Sequence, residues 1–162
     1  MLRPAPVRWV GGIVVWSAFV HDGPARALVL RLKYRAAPAP GIGRVLLPLL
    51  PAGATALVPV PRVAARRWRY GVDPALEIAR SLAMESGLPI VAALRAPAWV
   101  HRRAGARGAP HGQPRFRRMC PIPPGAVLVD DVVTTGATTA ACAQALLTGG
   151  AVAVRVLSLA RD

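Results

Sequence analysis

Short apolar runs alternate along the chain with stretches whose apolar residues recur at helical spacing. The runs predict strands at 8–20 (as one strand or two), 54–58, 88–94, 126–129 and 151–159. The helical stretches lie at 23–34, 44–50, 74–87 and 139–147, whereas residues 1–6 and 38–43 are expected to be irregular. Strands with little internal alternation are typical of buried parallel sheets. Because helices separate these strands, we expect parallel units joined by right-handed crossovers in an α/β fold with a mostly parallel sheet.

The stretch 127–138 carries the clearest chemical signal, and it reads V-L-V-D-D-V-V-T-T-G-A-T. The acids Asp130 and Asp131 are expected to end the strand. The residues after them, which are rich in hydroxyl groups and glycine, are expected to form a turn into a helix. They are Thr134, Thr135, Gly136, Ala137 and Thr138. A strand, a tight turn and a helix N-terminus in this order predict an anion site, because the N–H groups of the first helical turn have no partner within the helix.

The kind of anion follows from the acids. A P-loop would have a lysine in this turn, and this turn has none. Two carboxylates would repel a bare polyphosphate, but they can accept hydrogen bonds from the vicinal hydroxyls of a sugar. The pattern therefore favours a ribose 5-phosphate. The alternative is a strand whose acids only cap a turn.

A second basic segment follows the strand at 54–58. It begins Pro59-Val60-Pro61 and contains the candidate anion ligands Arg62, Arg66 and Arg67. Arginines can contact phosphate through two parallel hydrogen bonds, and prolines stiffen the backbone. A solvated basic patch is the alternative. Asp73 is either a departure from a ligand-binding pattern or a helix N-cap, since Pro74 follows it at the first helical position.

Composition and charge narrow the class of protein. The 162 residues form a single predicted domain, 1–162, with 21 Lys+Arg against 7 Asp+Glu and a net charge of +14, which makes association with nucleic acid plausible. The only two cysteines, Cys120 and Cys142, have neither metal-like nor disulfide-like spacing. The apolar residues 7–20 are too few to span a bilayer and lack a cleavage site, so we expect a cytoplasmic protein.

The stretch 127–138 resembles the PRPP-binding motif of the type I phosphoribosyltransferases. Together with Ser158 to Arg161 and Leu32-Lys33-Tyr34, it is most similar to the ComF-like competence proteins. The resemblance implies a three-layer α/β fold of the phosphoribosyltransferase kind with a small N-terminal hood-like element. It also implies that Asp130 and Asp131 bind the ribose hydroxyls. The 5-phosphate would lie at residues 134–138, and the pyrophosphate at the three arginines, with Mg²⁺ held mainly through the ligand.

The resemblance also implies a flexible flap at 95–118, a segment with seven arginines and no acid. The residue patterns that are usual in this family at 95–118 and at 70–74 are only loosely matched in this chain. This departure weakens the expectation of catalysis more than the expectation of ligand binding. No general base or acceptor is identifiable. We expect no N-terminal zinc module.

Two functions remain open at this stage. The first is a phosphoribosyltransferase-like enzyme that binds PRPP or another phosphoribosyl ligand. The second is a non-catalytic module that binds single-stranded DNA or a helicase partner in DNA uptake, with aromatic rings stacking on bases. The candidate rings are Trp68, Tyr70, Trp99 and Phe116, for which packing inside the protein is the alternative. A homodimer is compatible with either function.

Overall fold

The computed structural model describes residues 1–10, 12–35, 39–62, 71–97 and 115–162. The strands in this part of the chain are β1 (Arg8–Val10), β2 (Ile13–Val20), β3 (Ala56–Pro59), β4 (Leu94–Arg95), β5 (Arg117–Arg118), β6 (Ala126–Val133) and β7 (Arg155–Arg161). The helices are α1 (Gly23–Tyr34), α2 (Ala39–Leu46), α3 (Pro74–Ser86) and α4 (Ala137–Thr148), and a 3-10 turn at Leu47–Leu49 follows α2.

Five of the strands form the central sheet, in the order β1-β2-β7-β6-β3. Strands β2, β7, β6 and β3 are parallel to their neighbours, and only the edge strand β1 is antiparallel. The carboxyl ends of the four parallel strands therefore lie at one edge of the sheet. In open sheets of this kind, ligands bind in the crevice beyond that edge.

Helices cover both faces of the sheet. On one face, α4 packs its buried side chains Ala141, Cys142 and Leu146 against the strands. On the other face lie the apolar sides of α1, α2 and α3, which include Leu32 and Leu82. The protein is thus an α/β structure with a mostly parallel sheet between two helical layers, as the alternation of strands and helices predicted.

Two strand ends differ from the sequence prediction. Strand β6 does not end at the acids but continues through them to Val133, because Asp130 and Val133 are still paired with β7. Strand β7 begins at Arg155 rather than at residue 151. Pairing with a neighbour decides both ends, and the sequence of one strand does not show where its neighbour starts.

The N-terminal residues are ordered along the sheet and do not form a separate hood-like element. Val20 N–H donates to Arg3 O at 2.9 Å, and Ala5 N–H donates to Ala18 O at 3.2 Å. Residues 1–6 form no helix or strand, as expected, but a single bridge between Pro4 and Phe19 extends the edge that β1 forms.

Helix α2 begins five residues before the predicted start at residue 44. Pro40 lies in its first turn, where the missing N–H costs no helical hydrogen bond. Gly43 lies against α3, where its N–H donates to Ser81 Oγ at 2.9 Å. The glycines that indicated a loop therefore lie in a helix, and one of them allows the close approach of a second helix.

The predicted strand at 88–94 is mostly an extended segment beside β3. Leu57 N–H donates to Pro89 O at 2.9 Å, and Val91 N–H donates to Leu57 O at 2.8 Å. Only Leu94–Arg95 is a strand, and it pairs with Arg117–Arg118 in a separate two-stranded ladder. The two ends of the predicted flap at 95–118 are thus joined, while residues 98–114 lie outside the described residues.

None of the helices in the described ranges is both long and apolar enough to cross a membrane.

Replacement of Gly43 by alanine should destabilise the protein by roughly 1–3 kcal/mol, a typical cost of overpacking. A Cβ at this position would lie 2.6 Å from the Ser81 carbonyl carbon and 2.7 Å from Ser81 Oγ. Urea denaturation of both proteins measures the difference in the free energy of unfolding.

The matched control is Gly41→Ala in the same helix. No described residue would lie within 4 Å of a Cβ at Gly41. This change should leave stability unaltered or raise it by up to about 1 kcal/mol, because alanine favours a helix over glycine. Equal effects of the two substitutions would contradict the close packing of α2 on α3.

Candidate functional site

The candidate site is the turn between β6 and α4, at the carboxyl edge of the sheet. Gly136 is the N-cap of α4 and has the left-handed φ of 75°, and Ala140 N–H donates to Gly136 O at 2.7 Å. The side chains of Thr134, Thr135 and Thr138 are exposed. We call residues 134–138 the phosphate turn, after the ligand that the sequence predicted.

Donor groups of the phosphate turn are not used within the described part of the chain. The backbone N–H groups of Thr134, Thr135 and Gly136 donate to no other described residue. Ala137 N–H makes only a long contact, 3.4 Å, with Thr135 Oγ1. These N–H groups and the exposed hydroxyls lie at the positive end of the α4 dipole, where an anion is stabilised.

Gly136 also touches the edge strand of the sheet. A Cβ at this position would overlap a methyl group of Val10 in β1. Glycine is thus needed here for the positive φ and for the contact with Val10. On the side of the missing Cβ, the space is occupied by Val10.

Asp130 is buried in the second half of β6, with only 7% of its surface exposed. Its Oδ1 accepts a hydrogen bond from Asp131 N–H at 2.8 Å, and its Oδ2 accepts one from Thr139 Oγ1 at 3.4 Å. Asp131 is half-buried and is the more accessible of the two acids. The sequence predicted the same role for both, and the structure gives them different surroundings.

Burial raises the pKa of the Asp130 carboxyl well above its ordinary value, and the negative charge of Asp131 raises it further. Burial, together with the charge of Asp130, also raises the pKa of the Cys142 thiol in α4. Cys142 is therefore an apolar packing group under this carboxyl rather than a nucleophile. It forms no disulfide, and neither does Cys120.

Two serines that the sequence did not single out as site residues lie in line with Asp130 across the sheet. Ser158 of β7 is in register with Asp130 on one side and with Ser17 of β2 on the other. Ser158 Oγ lies 2.6 Å from Ser17 Oγ, a contact in which either hydroxyl can donate, and 3.2 Å from Ala160 O. The only sequence signal was one polar residue within each of two apolar strands.

Arg62 follows β3 and lies half-buried at the same sheet edge. Its Nη1 donates to Val72 O at 2.5 Å, so this arginine links the two ends of the segment 63–71. Arg66 and Arg67 lie outside the described residues. Asp73 accepts a hydrogen bond from Leu76 N–H at 3.4 Å and caps α3, with Pro74 following, which supports the capping alternative.

The prediction that Phe116 stacks on bases is wrong. The ring is 8% exposed and packs in the core under α4. The other three candidate rings, at 68, 70 and 99, lie outside the described ranges. Among the described residues, no group of three histidine, cysteine or acidic side chains could hold a metal ion.

Comparison with known proteins finds no family model and no curated protein that matches this chain. The resemblance to ComF-like phosphoribosyltransferases therefore stays a prediction.

Replacement of Asp130 by asparagine should stabilise the protein at neutral pH and flatten its pH profile. The pKa of Asp130 is higher in the folded protein than in the unfolded chain, where it is about 3.9. Between these two values the folded state binds more protons, so the free energy of unfolding falls as pH rises. The slope from this one group is at most about 1.4 kcal/mol per pH unit.

Urea denaturation of the wild type and of Asp130→Asn from pH 4 to pH 8 measures this effect. The difference between the two proteins cancels the contributions of the other titratable groups. We expect the free energy of unfolding of the variant to rise relative to that of the wild type as pH rises. If it fell relative to the wild type instead, the buried carboxyl would be stabilised as the anion.

Proposed function

We propose that this protein binds a phosphoribosyl ligand, PRPP or another ribose 5-phosphate, in the manner of the type I phosphoribosyltransferases. The observation that carries the proposal is the phosphate turn. Its N–H groups, which donate to no other described residue, and its exposed hydroxyls lie at a helix N-terminus, directly after a strand whose second half carries two acids. The 5-phosphate would bind to residues 134–138.

The contrast between the turn and the acids favours a sugar phosphate over a simple anion. The turn has N–H and hydroxyl donors for a phosphate, whereas an ionised carboxylate only accepts hydrogen bonds. A ligand that satisfies both the donors of the turn and the acceptors of the acids has a phosphate at one end and hydroxyls at the other. Ribose 5-phosphate carries both kinds of group, and Asp131 and Thr134 are three positions apart in the chain.

The position of Arg62 supports a pyrophosphate group on the same ligand. Strand β3 pairs with β6, and Val60 N–H donates to Val129 O at 2.9 Å. The segment after β3 therefore begins at the same sheet edge as the phosphate turn. In the proposal Arg62, together with Arg66 and Arg67, would bind the pyrophosphate of PRPP. Arg62 would then contact both the ligand and Val72.

The reaction that the resemblance implies is a transfer at C1 of the ribose. A nucleophile forms a bond to C1, and the C1–O bond breaks, with pyrophosphate leaving with the electron pair. Mg²⁺ would bind through the pyrophosphate oxygens and neutralise them, since the described residues form no metal cage. The chain's own part is to hold both ends of the ligand, and the acceptor is left open.

Introduction of an acid into the phosphate turn should abolish most of the binding without unfolding the protein. Thr138 is exposed at the second position of α4. In Thr138→Glu, the new carboxylate would repel the phosphate and lower the affinity for ribose 5-phosphate at least about tenfold. The helix itself should be as stable or more stable, because an acid in the first turn interacts favourably with the dipole. Calorimetric titration measures the affinity.

Thr148→Glu is the matched control, with the same charge change at the exposed C-terminal end of α4. It should leave the affinity unchanged. Equal losses in both variants would mean that net charge rather than the turn governs binding. An unchanged affinity in Thr138→Glu would exclude residues 134–138 as the phosphate site.

A second candidate function is nucleic-acid binding, for example to single-stranded DNA during uptake in the cytoplasm or beside a helicase partner. The outer face of α1 favours it. Arg26 and Arg31 are exposed there, and Arg35 is exposed directly after the last residue of the helix. The helix contains no acid, and none of the three arginines forms an ion pair with another described residue. Such a face can release counterions from a phosphate backbone.

The salt dependence of single-stranded DNA binding tests this face. The slope of log K against log salt should be about −0.7 for each phosphate contacted. In the triple variant Arg26→Gln/Arg31→Gln/Arg35→Gln, the magnitude of the slope should fall by about 2, because three contacts are lost.

The control is Arg44→Gln/Arg80→Gln, which removes two arginines that are paired with Glu85 at 3.1 Å and Glu77 at 2.6 Å. Its slope should stay close to that of the wild type. A wild-type affinity independent of salt would exclude the nucleic-acid function.

A further inference from the structure

We infer that the two adjacent acids divide their roles: Asp131 recognises the sugar hydroxyls, and Asp130 is a positioning residue that does not touch the ligand. This inference rests on the proposed function, and it departs from the equal roles that the resemblance implies. It is carried by the different burial of the two side chains and by the hydrogen bonds of Asp130.

Both carboxylate oxygens of Asp130 are already used by the chain. Oδ1 accepts from Asp131 N–H at 2.8 Å and Oδ2 from Thr139 Oγ1 at 3.4 Å. Thr139 is itself only 3% exposed, so this contact lies inside the protein. A carboxylate has about four acceptor sites, so these two bonds do not exhaust Asp130, and it is the burial of Asp130 that keeps a sugar hydroxyl from it.

The two hydrogen bonds lie before and after the phosphate turn in the chain. The first fixes the backbone from which the Asp131 side chain projects. The second joins the second half of β6 to the third residue of α4. Asp130 thus sets the distance between the strand and the helix that flank residues 134–138. Asp130 would therefore affect the binding affinity only indirectly, and by a similar factor for every ligand that uses the phosphate turn.

The surroundings of Asp130 contain no group that would turn it towards a ligand. The polar or titratable side chains packed near it are the hydroxyls of Thr139 and Ser158, the thiol of Cys142 and the carboxylate of Asp131. No cation is among them in the described part of the chain. Ser158 hydrogen-bonds to Ser17 and Ala160, so it too is occupied within the fold.

A single carboxylate is enough to recognise a pair of neighbouring hydroxyls, because its two oxygens can each accept one hydrogen bond. Asp131 would therefore distinguish ribose 5-phosphate from 2-deoxyribose 5-phosphate, which lacks one of those hydroxyls. This discrimination is a property that Asp130, as a positioning residue, should not affect. The ratio of the two affinities separates the roles, whereas the affinity for one ligand does not.

The experiment measures the affinity for ribose 5-phosphate, 2-deoxyribose 5-phosphate and inorganic phosphate by calorimetry. The wild type should prefer the ribose compound at least about tenfold, as expected for a lost hydrogen bond to a charged group. In Asp131→Asn this preference should fall to about threefold or less. In Asp130→Asn it should persist, since the asparagine oxygen can still accept from Asp131 N–H and its amide can donate to Thr139.

Thr139 gives a second test that leaves both acids in place. Thr139→Val removes the donor to Asp130, and should weaken all three ligands by a similar factor without changing the preference for ribose. Thr139→Ser retains the hydroxyl and should restore the wild-type affinities. If Asp130 contacted the sugar, Thr139→Val would instead reduce the preference itself.

The outcomes separate this inference from the proposed function. Binding of none of the three ligands by the wild type would overturn the proposed function and the division of roles with it. Binding with a preference for ribose that disappears in Asp130→Asn as fully as in Asp131→Asn would overturn the division of roles alone. A preference that is lost only in Asp131→Asn supports it.

Discussion

The hydrogen bonds of the Asp130 carboxyl connect a strand in the middle of the sheet to the helix on one face of it. The carboxyl is removed from water, which disfavours its ionised form. It is nevertheless satisfied by the N–H of Asp131 and by the hydroxyl of Thr139. A buried acid of this kind costs stability as an anion, so its presence at the edge of the sheet indicates a role in shaping the turn beside it.

The order of the parallel strands determines which segments of the chain lie beside the phosphate turn. Strand β6 lies between β3 and β7, so the segments that follow these three strands leave the sheet at the same edge. Arg62 and the phosphate turn are more than seventy positions apart in the chain, yet they follow paired strands. In the proposed function, a ligand that uses both has two anionic groups separated by a sugar, as PRPP does.

The sequence predicted those features that depend on local contacts. Asp73 and Pro74 mark the start of α3 because the cap is a contact within one helical turn, and Gly87 ends it with a left-handed φ of 71°. The strand, turn and helix of the candidate site are contiguous in the chain, and the structure has them in the predicted order; that the turn binds an anion stays a prediction. These signals do not depend on the rest of the fold.

Features that depend on distant contacts could not be predicted in this way. Gly43 belongs to a helix because α3 approaches it, and β6 continues past Asp130 because β7 lies beside it. The difference between Asp130 and Asp131 depends on the position of Thr139 and on burial under α4. In the amino-acid sequence the two acids are equivalent, and only their packing in the folded protein distinguishes them.

The contact of Val10 with Gly136 has a practical consequence for preparations of the protein. Val10 covers one side of the turn at Gly136, although the two residues are more than a hundred positions apart in the chain. Proteolytic trimming of the chain up to Val10 would uncover the outer backbone edge of β2, which is prone to aggregation. It would also leave the turn less constrained, so a loss of ligand affinity in a nicked sample would not by itself implicate the residues that touch the ligand.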